Sequence, residues 1–175
     1  MPKLAALAVS VGVLAVVAVW LFGLGPLAAA KLQVWQAFIA WGCFFHSGAK
    51  VPGARATVAC MIFGAIVGMI AALLAARLGA LGAFAAPVAV GLGAALIVLS
   101  SKLPLLATIP ASVYGFAAIF GLILLGSDVT PVGALLPTVL SILIGAAFGY
   151  VSEVVADALT KQVAAPVGAA ASPAA

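Results

Sequence analysis

SKLPLLATIPASVYGFAAIFGLILLG, residues Ser101 to Gly126, decides how this chain is read. The stretch is apolar enough to enter a bilayer, yet Pro110 stands within it and Thr108, Ser112 and Tyr114 surround that proline. A proline inside a helix removes one backbone hydrogen bond and crowds the carbonyl a turn earlier. In hydrocarbon the freed groups must be satisfied by protein or by water in a cavity. The expectation is a membrane helix over Pro104 to Leu125, broken at Pro110, with three polar side chains and freed carbonyls available to line a polar passage. The competing expectation is a proline kink packed by its neighbours, with Ser and Thr bonding back to their own helix.

The rest of the composition agrees with a lipid solvent. Of 175 residues, 67% are hydrophobic and 6% charged, whereas a soluble domain carries roughly 25% charged residues. At ~20 residues per crossing, a chain of this length allows about six short spans in one domain. The net charge of +4 comes from seven basic and three acidic residues, single and scattered. Such a distribution carries topology information and offers no patch to grip nucleic-acid phosphates. Cys43 and Cys60 lie in apolar stretches with no metal-ligand spacing around them, so both read as small hydrophobes. No cofactor and no metal are expected.

Six segments emerge in order. Met1 to Leu24 is apolar for longer than the ~7–15 residues of a signal peptide core and reads as a retained first span. Leu32 to Gly48 is the second; its seventeen residues reach only ~25 Å, so it either crosses by local thinning or enters part-way. Ala56 to Ala76 is the third, with Gly64 and Gly68 as a GxxxG pair that admits a close neighbour. Ala83 to Ser100 is the fourth, Pro104 to Leu125 the fifth, and Leu135 to Val155 the sixth, with Gly145 and Gly149 as a second GxxxG pair. The domain is read as residues 1–160, and Lys161 to Ala175 as an Ala/Pro-rich tail with the composition of disorder.

Charge selects the topology. Six crossings with an inside N-terminus put Lys3, Lys50, Arg55, Lys102 and Lys161 on the inner side, and Lys31, Arg77 and Asp128 on the outer side. That bias follows the positive-inside rule, and both termini are then cytoplasmic. Making Leu32–Gly48 and Pro104–Leu125 re-entrant would remove the bias. Trp20 and Trp35 also fall at one outer boundary. The halves look alike: Trp41-Gly42 answers Tyr114-Gly115, and Phe63 to Met69 answers Ile144 to Tyr150. Three spans per half would make these inverted repeats, a transporter plan with its site near the midplane.

Trp35-Gln36-Ala37-Phe38, then Trp41, Phe44-Phe45 and Gly48, resembles the aromatic signature of the YcdZ-like family of small bacterial inner-membrane proteins, classed as a domain of unknown function. Pro110, Gly115 and Phe120-Gly121 are similar to that family's proline–glycine segment, and Phe148-Gly149-Tyr150 to its last helix. The resemblance covers about residues 5–155 and departs at His46-Ser47 and in the tail. It implies a helical inner-membrane fold and lends no catalytic residue.

Enzyme signatures are absent: the chain has no phosphate-binding glycine loop, no paired mid-membrane carboxylates and no Ser/His/Asp set, so no catalysis is expected. His46, the single histidine, reads either as a hydrogen-bonding group at a pore mouth or as an interfacial side chain. Glu153 and Asp157 lie one turn apart near Lys161 and read as a solvated helix end. Trp41, Phe44 and Phe45 form either an aromatic constriction or ordinary packing. The pore-lining set is therefore Thr108, Pro110, Ser112, Tyr114, Trp41, Phe45 and His46. Hydroxyls and carbonyls without a mid-membrane charge suit a small neutral hydrogen-bonding solute. The function expected is a homo-oligomeric channel or facilitator for such a solute; the alternative is a non-transporting accessory subunit of a membrane complex.

Overall fold

Lipid-like composition and frequent helix-tolerant residues produce a chain of helices joined by short turns. The computed structural model describes residues 1–126 and 128–164, with side chains through residue 160. Its α-helices are α1 (Lys3–Phe22), α2 (Gly25–Ala29), α3 (Val34–His46), α4 (Lys50–Arg77), α5 (Ala85–Ser100), α6 (Ile109–Leu125) and α7 (Pro131–Ala164). Two tight 3-10 turns, Gly79–Phe84 and Pro104–Leu106, precede α5 and α6. No strand occurs among the described residues. Among the described residues, four elements are long and apolar enough to cross a bilayer: Lys3–Phe22, Lys50–Arg77, Gly79–Ser100 and Pro131–Thr160. The Ala/Pro-rich tail expected from Lys161 lies outside the described residues, apart from Lys161–Ala164, which continue α7.

The helix expected to break at Pro110 is not broken there. Pro110 occupies the first turn of α6, after Thr108 at the N-cap. In a first turn the missing N–H would have had no partner anyway, and the fixed φ suits helix initiation. The upstream residues leave the helix instead: Pro104–Leu106 form their own turn, and Thr108 sits at φ −86°, ψ 82°. The proline inside a helix is Pro137 of α7, which is buried.

Contacts set the helix directions. Lys3 reaches Asp157, and Ser10 reaches the Ser152 carbonyl, so α1 and α7 run antiparallel. Gln36 meets Thr138 and Trp41 meets Ser152, so α3 runs parallel to α7. A Cβ on Gly64 would strike the Ser112 carbonyl, and one on Gly68 the Ile119 side chain, so α4 runs parallel to α6. Val67 and Ala71 of α4 share a crevice with Ala89 and Gly93 of α5, closing an antiparallel hairpin. α4 and α7 form the centre, α3 and α6 lie against them, and α1 and α5 pack outside.

Both GxxxG pairs act as the sequence led one to expect. Gly64 and Gly115 are mutual contact points of α4 and α6, where a Cβ on either would enter the other helix's backbone. Gly145 meets the Ala37 backbone of α3, and Gly149 lies under the Phe44 ring. Close backbone approach gives dispersion contact where no hydrophobic drive exists between helices. The outer surface is strongly apolar, with Val13, Val16, Trp20, Leu92, Leu99, Leu124 and Leu136 exposed. Exposed apolar area on this scale is suited to lipid.

Candidate functional site in the groove between α3 and α6

Helix α3 has only 13 residues, about 20 Å at the helical rise. Its face Ile39, Cys43 and His46 follows three- and four-residue spacing and looks toward Tyr114 and Ala117 of α6. Between these faces lies a half-open groove of about 470 Å³, whose remaining wall is Phe38 and Gly42. The imidazole of His46 and the ring of Tyr114 meet edge-to-face with centroids 5.9 Å apart. Gly42 faces open space in the groove, so the α3 backbone itself forms part of the wall. The arrangement is an apolar slot with an imidazole and a phenol at one mouth. Such groups donate and accept hydrogen bonds without fixed charge when the imidazole is neutral.

The other residues named from sequence are dispersed. Trp41 turns toward α7: its Nε1–H donates to Ser152 Oγ at 3.0 Å, and its ring stacks on Phe148 at 5.4 Å. Phe45 packs edge-to-face on Phe44 at 5.2 Å, outside the groove lining. Ser112 is buried against Gly64, its Oγ without a hydrogen-bond partner. Thr108 and Pro104 line a separate pocket with Arg55 at the N-terminal ends of α4 and α6. Pro110 is exposed on the first turn of α6. Of the seven, the structure brings together His46 and Tyr114.

Beside the groove runs a polar seam that the sequence reading passed over. Gln36 is fully buried, and its Nε2–H₂ donates to the Ala118 carbonyl and to Thr138 Oγ1, both at 2.9 Å. Turning the amide over would set its oxygen against the Ala118 carbonyl, so this orientation is fixed by its acceptor. Oε1 of Gln36 is left with no partner. The backbone N–H of Gln33 donates to Ser141 Oγ at 3.0 Å, and Ser152 Oγ donates to the Gly149 carbonyl at 2.7 Å. The signal was available: Thr138, Ser141, Gly145, Gly149 and Ser152 recur at three- and four-residue spacing on α7. Gln36, a lone amide in an apolar helix, was its counterpart.

Glu153 departs from the solvated helix end expected for it. Only 8% of it is exposed, and its Oε2 accepts the Lys50 backbone N–H at 2.7 Å. The carboxylate thus holds the turn joining α3 to α4. Asp157 is half-exposed and pairs with Lys3 at 3.6 Å. Cys43 and Cys60 are free and buried, with Thr57 Oγ1 donating to Cys43 Sγ at 3.5 Å.

A bundle of apolar helices with an apolar outer surface and a hydrogen-bonded polar seam inside marks a helical membrane protein. Residues 8–157 match the model of the family described as "Protein of unknown function (DUF1097)", and the chain belongs to that family. No curated protein and no solved structure matches it.

Proposed function

We propose that this protein is a six-crossing bacterial inner-membrane facilitator that takes a small uncharged solute into the groove between α3 and α6. The observation carrying the reading is the groove: about 470 Å³, apolar-walled, with one phenol and one imidazole as its ring-borne polar groups. Ligand pockets characteristically combine apolar walls with a few polar groups. The alternating helix directions support six crossings, with α3 and the 17-residue α6 as short members. Helix partnering supports inverted repeats: α7 of one half holds α3 and α1 of the other, while α4 holds α6 and α5. Each central helix grips its short partner with its own GxxxG pair. The groove falls between the two short helices, equivalent in position, where inverted-repeat transporters keep their sites. The Lys3–Asp157 contact puts the start of α1 and the C-terminal part of α7 on one face, shared with Lys50, Arg55 and Lys102, which supports cytoplasmic termini. The YcdZ-like resemblance supports the inner-membrane address.

Stopped-flow swelling of proteoliposomes holding the full chain tests this with urea, formamide and glycerol. A Cβ at Gly42 meets nothing within 4 Å, so Gly42→Leu should be accommodated with its side chain in the groove, reducing flux at least tenfold while leaving thermal stability unchanged. No flux above protein-free liposomes for any of the three solutes refutes the facilitator, and undiminished flux in Gly42→Leu refutes the groove as its route. A second reading, a rigid accessory subunit, draws on the α3–α7 seam, bonded at both of its ends. A stoichiometric partner after gentle solubilisation, together with absent flux, would favour it.

A further inference from the structure

The pocket that holds Thr108 is not part of the groove and has its own chemistry. Its volume is about 410 Å³, and it is lined by Arg55 and Ala56 on α4 and by Pro104, Leu105 and Thr108 before α6. It opens at the bundle face that carries Lys3, Lys50 and Lys102. Arg55 is exposed, one helical turn beyond Val51. Among the described residues its guanidinium pairs with no carboxylate. The chain holds three acidic side chains: Glu153 is engaged by the Lys50 N–H, Asp157 by Lys3, and Asp128 follows α6 at the opposite end. Thr108 stands at the N-cap of α6, yet its side chain makes no capping bond. The N–H groups of Ala111 and Ser112 are satisfied by the Thr108 carbonyl instead. A planar five-donor cation and an uncommitted hydroxyl therefore share one cavity, and the positive end of the α6 dipole adds to the same sign of potential.

We infer that this pocket binds the phosphate of an anionic lipid headgroup. Arg pairs with phosphate through two parallel N–H···O bonds, a geometry that lysine does not offer. A hydroxyl donor can take a third oxygen. The walls suit a lipid more than a free ion: Pro104 and Leu105 are exposed and apolar, giving the glycerol and first acyl carbons a path from the pocket to the bilayer. Basic pockets between membrane helices on the cytoplasmic side are established headgroup sites. No carboxylate lines the cavity to receive an ammonium, so net-anionic headgroups are preferred over zwitterionic ones.

Native mass spectrometry of the detergent-purified full chain tests this, with phosphatidylglycerol and phosphatidylcholine titrated separately. Phosphatidylglycerol adducts should exceed phosphatidylcholine adducts about fivefold on the wild type, and Arg55→Gln should abolish that preference. Arg55→Lys should keep only part of it, and Thr108→Val should weaken it about two- to threefold. Arg77→Gln, which removes a cation at the other end, should change nothing. Equal phosphatidylglycerol binding by wild type and Arg55→Gln, with both proteins monodisperse, overturns the site. Displacement of the lipid by millimolar inorganic phosphate overturns the lipid assignment and makes the ligand a free anion.

Discussion

Ala49 is held at φ 57°, ψ −163°, between Gly48 at φ 95° and Lys50 at φ 52°. That corner of backbone space is almost confined to glycine and costs ~1–3 kcal/mol for other residues. The turn persists because its backbone is bonded on both sides: Ala49 N–H donates to the Phe44 carbonyl at 2.9 Å, and Lys50 N–H to Glu153. Ala49→Gly should therefore stabilise the protein, by about 1 kcal/mol after the added chain entropy is subtracted. Glu153→Leu should destabilise it by ~1–3 kcal/mol, because a strained N–H loses a buried charged acceptor. Differential scanning fluorimetry in detergent reads both shifts, and opposite signs are expected. Gln36 is a milder case. Interhelical side-chain bonds in membranes average ~0.6 kcal/mol, so Gln36→Met, which removes two such bonds and one unpaired oxygen together, should cost only about 1 kcal/mol.

Small residues distinguish the helices by where they point, and the element scale is where this shows. Gly64, Gly115 and Gly145 each meet a neighbouring backbone at a distance no side chain tolerates. Gly12, Gly42 and Gly91 meet nothing. Substitution by alanine should separate the two sets. At Gly64 or Gly145 the helices must move apart, with an expected loss of ~1–3 kcal/mol or failure to fold. At Gly12 or Gly91 the gain in helix propensity, up to ~1 kcal/mol in water, should leave the protein as stable as before or more so. Fluorescence-detected size exclusion after a heat step ranks the six variants, and equal losses in both sets would contradict the packing. The spacing of the GxxxG pairs was plain in the sequence because helical period maps directly to one face. Which helix each pair receives was not, since the partners of Gly64 and Gly145 lie far along the chain.

For the whole molecule, the consequential feature is that both central helices collect partners from the opposite half. The alternating helix directions gather Lys3, Lys50, Arg55 and Lys102 at one end of the bundle, and Lys31 and Arg77 at the other. In a variant lacking Cys43 and Cys60, single cysteines at Lys102 and Arg77 should react with a membrane-impermeant maleimide from opposite sides of right-side-out vesicles. Labelling of both from one side would disprove the proposed crossing count. The two positions that the proposed repeat would make equivalent do different work. Gly115 is wedged against the Met61 backbone, whereas Gly42 is open in the groove.

The amino-acid sequence by itself determined the solvent, the helices and the small-residue faces, because hydrophobic content, helical period and glycine spacing are local quantities. It did not determine what Pro110 does, since a proline reads alike whether it breaks a helix or begins one, and only the chain before it decides. Nor did it bring His46 to Tyr114, Glu153 to Lys50 or Gln36 to Thr138. Those meetings arise where helices distant in sequence pack side by side, and a buried polar group shows its purpose only once its partner has arrived.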